Sequence, residues 1–288
     1  MKQHEGDPLT TECSGEQLAF QGLGKRVVVG RFDGGAISSD GGALLLREVE
    51  ARTRIIARLA EQFVDYRNPV LIEHSVRELV GQRVLALALG YEDLNDHDRL
   101  RLDPLLAAAV GKRDPSGDGR FKEQDRGKAL ASSSTLNRLE LTPLDADSGS
   151  RYKKIVADGA GIDALMVTLA LDAHREAPEQ IWLDLDATDD AVHGAQEGRF
   201  FHGYYGHYCY LPLYIFWGDA LLCARLRPSN IDAAKGSVEE LSRIVAQMRQ
   251  RWGEVQIVIR GDCGFCREDI MSWCEVNHVD FVLGLAKN

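Results

Sequence analysis

The stretch Ile181-Trp182-Leu183-Asp184-Leu185-Asp186-Ala187-Thr188-Asp189-Asp190 constrains the fold more than any other part of the chain. Ile181, Leu183 and Leu185 alternate with Trp182, Asp184 and Asp186. That period of two predicts a strand with its aliphatic side chains on one face. Trp182, Asp184 and Asp186 then share the other face. A carboxylate on a strand within a mostly apolar chain is costly unless something positive meets it. A hard divalent cation, which takes carboxylate oxygens, is one such partner. A solvated strand end, with Asp189 and Asp190 opening a turn, explains the same residues without a cation.

The residues beyond this strand predict the rest of a sheet. His207 to Trp217 reads as one long strand, Gly218-Asp219 as a turn, and Ala220 to Leu226 as the returning partner. Ser237 to Trp252 is an amphipathic helix, and Val255 to Ile259 is a short buried strand ending in Arg260-Gly261-Asp262. Arg267 to Asn277 reads as a helix and Val279 to Leu285 as a last strand. The expected fold class is therefore α/β. Its mixed sheet has three antiparallel strands, then parallel strands reached through crossover helices. Asp262 ends a strand as Asp186 does, and ligands of α/β sheets gather at the carboxyl ends of strands. Two acids placed there on neighbouring strands could share a divalent cation and form part of a two-metal phosphoryl-transfer site.

The first half is mainly helical. Leu18 to Phe32 reads as a hairpin turning at Gly22-Leu23-Gly24, followed by a glycine-bracketed loop whose Asp40 could cap the next helix. Helices are expected at Ala43–Phe63 and His74–Leu89, and another from the charged run Asp93–Asp103 with its apolar end at Leu105–Val110. Gly111 to Gly127 is the best candidate for a mobile loop. The short helix within Ala129–Glu140 carries Asn137 and Arg138, residue types that a helix entering a DNA groove can use; a capped surface helix is the commoner explanation. Residues 144–160 read as a linker or short helix, and Ile162 to Arg175 as an amphipathic helix. The domains expected are residues 1–42 (hairpin and loop), 43–142 (helical, DNA-binding), 143–178 (linker and helix) and 179–288 (catalytic core).

Charge sharpens the choice of partner. A net charge of -10 argues against a general nucleic-acid binder, whose affinity is mostly cation-to-phosphate contact. Two windows are nevertheless locally basic: Lys112 to Lys154 has ten Lys or Arg against seven Asp or Glu, and Arg225 to Arg260 has seven against four. Confined DNA-contact patches fit that distribution, and so does a chance fluctuation. No apolar run approaches the ~18 residues of a membrane helix, and the polar start is not a secretory signal. Six irregularly spaced cysteines do not make a disulfide scaffold, so a cytoplasmic location and no membrane partner are expected.

Longer motifs carry a family resemblance. His193-Gly194-Ala195-Gln196-Glu197-Gly198, His202-Gly203-Tyr204-Tyr205, Tyr210-Leu211-Pro212-Leu213 and Leu226-Arg227-Pro228-Ser229-Asn230 are among them. So are Arg260-Gly261-Asp262-Cys263-Gly264-Phe265, the closing Gly284-Leu285-Ala286-Lys287-Asn288, and the early Phe32-Asp33-Gly34-Gly35 and Ser38-Ser39-Asp40-Gly41-Gly42. Together they resemble the DDE transposases of bacterial insertion sequences, specifically the thirteen-eighty group, which have an RNase H-like core.

The resemblance implies that Asp186 is the first catalytic and metal-binding acid and Asp262 the second, with Asp184 as the fallback for the first position. It implies Mg²⁺, with Mn²⁺ as an alternative, and phosphodiester hydrolysis at transposon ends followed by strand transfer. The implied partners are the terminal inverted repeats, target DNA and a second copy of the chain on paired ends. Arg225, Arg227 and Arg260 become candidates for phosphate contact. His202, His207 and Tyr204, Tyr205, Tyr208 and Tyr210 become candidates for stacking on unpaired bases. The family's third acid is a Glu on a later helix, and Glu197, Glu268 and Asp269 are no substitutes. The expectation is therefore the front portion of a transposase, impaired when alone.

Two other functions compete. Cys263-Gly264-Phe265-Cys266 follows a strand and opens a predicted helix, the placement of a thioredoxin-like dithiol. Zinc binding near Cys274 and His278 is weaker, because no second cysteine pair stands at finger spacing. A chain that only binds DNA ends, through residues 43–140, is the third reading.

Overall fold

The computed structural model describes residues 18–31 and 40–286. The motifs Phe32–Gly35 and Ser38-Ser39, the final Lys287 and Asn288, and the first seventeen residues of the expected 1–42 segment lie outside the described residues. The chain divides into two compact units, residues 1–157 and 158–288.

In the first unit, β1 (Leu18–Leu23) and β2 (Arg26–Gly30) form an antiparallel hairpin. Gly24, at φ 60°, makes the turn, so Leu23 belongs to the strand. The single helix expected over Ala43–Phe63 is two, α1 (Ala43–Thr53) and α2 (Ile55–Ala60), followed by β3 (Phe63–Asp65). Arg54 is left-handed at φ 56°, and the Glu50 carboxylate accepts from the N–H groups of Ile56 and Ala57. Glu50 thus supplies the acceptors that the first amides of α2 need, which stabilises the break. Asp40 does not cap α1 with its side chain; it accepts the Tyr91 hydroxyl.

Helix α3 (Val76–Ala88) starts at a capping box in which Ser75 and Glu78 satisfy each other's backbone N–H. The charged run gives a short α4 (His97–Leu100), and Pro104 opens α5 (Pro104–Val110) with Asp103 as its cap. Residues 111–127 are held by side chains rather than left loose. Glu73 takes the Arg120 guanidinium with both oxygens and the Phe121 N–H, while Asp114 accepts from Gly117 and Gly119. After α6 (Ser133–Glu140), the stretch read as a linker contains β4 (Ile155–Ala157), which pairs antiparallel with β3. Leu79, Leu106, Leu130 and Leu136 centre the core of this unit.

In the second unit, α7 (Gly159–Asp172) is capped by Asp158 and precedes β5 (Gln180–Ala187). Next come β6 (Asp190–Ala191), β7 (Phe200–His202), β8 (His207–Tyr210), β9 (Leu213–Trp217) and β10 (Ala220–Arg225). Then come α8 (Ser237–Arg251), β11 (Gln256–Gly261), α9 (Glu268–Val276) and β12 (Asp280–Leu283). The main sheet runs β10-β9-β5-β11-β12. In the order β10-β9-β5 each strand is antiparallel to its neighbour, and β5, β11 and β12 are parallel. This is the mixed sheet expected, with α8 and α9 as crossovers.

Ile181, Leu183 and Leu185 of β5 are buried with residues of α7, α8 and α9, while Trp182 and Asp186 are exposed. The strand expected over His207–Trp217 breaks at Leu211-Pro212. Pro212 has no N–H to donate to a ladder, and β8 leaves the main sheet for a small one ordered β6-β8-β7. No helix among the described residues is long and apolar enough to cross a membrane.

Candidate active site

The pairing of β5 with β11 sets the geometry. Gln256 stands opposite Gln180 and Arg260 opposite Asp184. Asp186 and Asp262 each lie two residues beyond this last pair along an extended backbone, Asp186 still in β5 and Asp262 just after β11. Asp262 continues in extended backbone at φ -75° and ψ -170°, and its Oδ1 accepts the Gly264 N–H at 2.8 Å. Both acids are exposed, and Asp186 has no hydrogen-bond or ion-pair partner among the described residues.

The β7–β8 hairpin adds Tyr205 and His207, both among the residues expected to stack on unpaired bases. The Tyr205 hydroxyl donates to the Ala187 carbonyl at 3.4 Å. Burial raises the Tyr205 phenol above its ordinary pKa, and the negative fields of Asp189, Asp186 and Asp262 raise it further. His207 Nε2 meets Asp189 Oδ2 at 2.7 Å. The legible signal was Gly203 and Gly206 flanking Tyr204-Tyr205, the composition of a turn.

The arginines expected at phosphate are otherwise engaged. Arg260 Nε and Nη2 donate to the two oxygens of Asp184, at 2.5 and 2.9 Å, and the guanidinium lies 5.6 Å from the Trp182 ring centroid. That ion pair also removes Asp184 as a free fallback for Asp186. Arg225 bridges Asp163 and Glu240; the hydrogen bond from Arg225 to Glu240 is the main reason its pKa rises. Arg227 is buried and donates to the carbonyls of Leu211, Ala233 and Lys235, so it braces the backbone and cannot reach a phosphate.

In the first unit, Asn137 and Arg138 sit on the wall of an open groove of about 390 Å³ with Ser133, Ser134, Tyr152 and Lys153. Arg138 is exposed and lies 5.5 Å from the Tyr152 ring centroid. Asn137 and Arg138 are therefore brought together, on the solvent side of α6, whose Leu136 and Leu139 are buried.

For a divalent ion, the donor chemistry at Asp186 and Asp262 fits: both are hard oxygen ligands with room for water and substrate oxygens. Among the described residues, no group of three or more His, Cys, Asp or Glu is arranged to hold a metal. Glu197 lies in a loop, where its backbone carbonyl accepts the Tyr210 hydroxyl, and Glu268 accepts from Ser272 at the start of α9. The cysteine motif departs from the dithiol expectation. Cys263–Phe265 is a single 3₁₀ turn capped by Asp262, and the helix begins only at Glu268. The helix amides that would stabilise a thiolate are thus not at Cys263. Cys274 is buried, its thiol pushed up to about 11 by that burial.

With this geometry in view, the family can be stated: residues 20–288 match the family model described as Transposase DDE domain group 1, and the chain belongs to that family. Among solved structures, the Mos1 transposase paired-end complex with left transposon end aligns over 85% of this chain and 78% of that one. The identity is 10% and the TM-score 0.25, a slight likeness. No curated protein matches the chain.

Proposed function

We propose that this chain is an insertion-sequence transposase that cleaves DNA strands at the ends of its element and joins them to target DNA, with Asp186 and Asp262 as its acids. The observation that supports this most is the β5–β11 register, which pairs Asp184 with Arg260 and leaves the exposed Asp186 and Asp262 each two residues beyond that pair, within a DDE-family domain. Phosphoryl transfer asks a protein mainly for positioning and for compensation of phosphate charge. Two bare carboxylates would repel a phosphodiester, so their use is as ligands. Asp186 and Asp262 would hold Mg²⁺ or Mn²⁺, and such an ion would neutralise phosphate charge and acidify the attacking oxygen.

Around that ion, Asp186 and Asp262 have distinct tasks. The Gly264 N–H holds one oxygen of Asp262, and the other would serve as a ligand to such an ion. Asp186, without a competing partner, is free to swing onto it. A water, and afterwards a 3′-hydroxyl, attacks in line with the leaving oxygen. In the first unit, Asn137 and Arg138 contact the terminal inverted repeats, and two copies act on paired ends. Arg225 and Arg227 hold the fold rather than the DNA.

The assignment is tested by Mg²⁺-dependent nicking of a DNA carrying the element's ends. Asp186→Asn and Asp262→Asn are each expected to lower nicking about 10³-fold with DNA binding retained. Undiminished nicking by the double variant would end it. DNA-end binding without catalysis is the second reading, favoured by one observation: Asn137 and Arg138 line an open groove with Tyr152 and Lys153. End-binding in EDTA with no nicking in Mg²⁺ or Mn²⁺ selects that reading.

A further inference from the structure

The β11 ladder ends at Gly261, which pairs with Leu283, one residue before Asp262. Asp262 therefore takes its aim from the turn that follows, Cys263–Phe265, and a single 3₁₀ turn stiffens little by itself. One side chain ties down both ends of this turn. Arg267 Nη1 donates to the carbonyls of Cys263 and Cys266, at 3.3 and 3.1 Å. Its Nε and Nη2 donate to Asp232 Oδ2, at 3.2 and 2.9 Å, on the segment between β10 and α8. That segment is itself fixed. Asp232 Oδ1 accepts the Ala234 N–H at 2.9 Å, and the buried Arg227 donates to the carbonyls of Ala233 and Lys235. A second restraint is steric. Gly284 lies against the Asp262–Cys263 peptide, where a Cβ would stand 2.9 Å from the Cys263 nitrogen, and the Gly284 N–H donates to the Gly261 carbonyl at 3.0 Å.

Arg267 is exposed, and an exposed cation without a task would stay in water. Instead its guanidinium serves three acceptors of its own chain. A planar fork can do this because its donors point in fixed directions, whereas an ammonium is a compact point charge. Groups that hold a metal-binding side chain in place are themselves held by such contacts, and their loss weakens the metal. We propose that Arg267 is a positioning residue: it clamps the 263–266 turn to the 232–235 segment and so aims the Asp262 carboxylate. The use of that aim, to hold a divalent ion, rests on the transposase reading; the clamp does not.

Two measurements on the full chain test it. Amide hydrogen exchange reads the turn without any metal, because Asp262 Oδ1 protects the Gly264 N–H only while the turn is held. Arg267→Met is expected to speed Gly264 exchange about tenfold, and Arg267→Lys nearly as much, with the urea midpoint moved no more than by an ordinary surface substitution. Mn²⁺ titration followed by electron paramagnetic resonance reads the carboxylate, and both variants should bind Mn²⁺ about tenfold more weakly. Gly284→Ala, which displaces the same peptide without touching the guanidinium, should repeat both effects. Unchanged Gly264 exchange in Arg267→Met overturns the clamp. So does a lysine variant that matches wild type, since charge rather than the fork would then be acting. Unchanged exchange with a flatter salt dependence of DNA binding would make Arg267 a phosphate contact instead. Asp262→Asn separates the two readings. If it leaves Mn²⁺ binding intact while Arg267→Met still loosens the turn, the metal assignment fails and the clamp stands. If it weakens Mn²⁺ binding and Arg267→Met does not, the positioning role fails and the metal assignment stands.

Discussion

In the second unit the space between sheet and helices is apolar and the candidate acids are at the rim. Ile181, Leu183, Ile215, Leu241 and Ile259 fill the space between sheet and helices, while Asp186 and Asp262 stand exposed at strand ends. In the first unit polar groups go inside. Gln82 is buried with both ends of its amide on the Ala131 backbone, and its nitrogen also faces His97 Nδ1 at 2.9 Å. His74 and His97 are buried, each with one ring nitrogen unpartnered among the described residues, and burial is the main reason their pKa values fall to about 3 and about 4. The difference is one of dependence. An apolar core leaves its strand ends free to carry charges that stability does not need, whereas a polar interior is only as stable as its hydrogen bonds and its protonation state.

All four tryptophans, Trp182, Trp217, Trp252 and Trp273, lie in the second unit, so their emission reports that unit by itself. The largest effect expected is at the rim. Asp186→Asn should raise the cleavage barrier by about 4 kcal/mol, the equivalent of 10³-fold in rate. It should leave the tryptophan-monitored urea midpoint in place. Leu183→Ala, on the same strand and the opposite face, should do the reverse and lower second-unit stability by about 2–5 kcal/mol through its cavity. A large midpoint shift from Asp186→Asn would mean that the rim carries stability after all, and the contrast between the units would fail.

Next in size is the buried amide. Gln82→Ala strands the N–H and C=O of Ala131 and a ring nitrogen of His97, and should cost the first unit at least about 2 kcal/mol. The loss should appear in helical circular dichroism and not in tryptophan emission. An equal shift in both signals would show that the units unfold together.

Acid should single out the first unit in the same way. Above pH 6.5, His74 and His97 are neutral in folded and unfolded chains alike. As the pH falls below 6.5 the unfolded chain binds protons that the folded one refuses, so stability declines toward pH 4, by about 1.4 kcal/mol per pH unit for each histidine. Circular dichroism should therefore lose first-unit helix between pH 6.5 and 4.5 while tryptophan emission holds. His97→Gln should blunt the decline. A pH-independent first unit would show that both rings accept protons in place.

These contrasts also explain what the sequence could convey. The alternation Ile181–Asp186 is local, and the faces of β5 could be read directly from it. Any convergence of Asp186 and Asp262 rests on a parallel pairing between strands far apart in sequence, and no local pattern encodes that register. Pro212 was visible, but a run of Tyr, Leu and Ile on both sides outweighed it, so β8 and β9 read as one strand. The break between α1 and α2 rests on Glu50 reaching amides six and seven residues ahead, and a glutamate looks the same whether it caps a helix or faces water. Arg227 is the clearest miss: a buried arginine whose partners are three backbone carbonyls has no complementary charge in the sequence to betray it.

Arg260 offers the smallest effect and a fine discrimination. Its sequence context suggested a phosphate contact, yet its Nε and Nη2 are given to Asp184 on the neighbouring strand. If that pair persists on DNA, Arg260→Gln should leave the slope of log affinity against log salt unchanged, because no counterion-releasing contact is lost. Asp184→Asn should instead free the guanidinium, and the slope should steepen by about one contact. Neither change should move the tryptophan-monitored midpoint, since the pair is solvent-exposed and screened. A flatter slope for Arg260→Gln would return the residue to the DNA interface, with Asp184 as the group that aims it. The rim of the second unit would then carry a binding cation as well as its two acids.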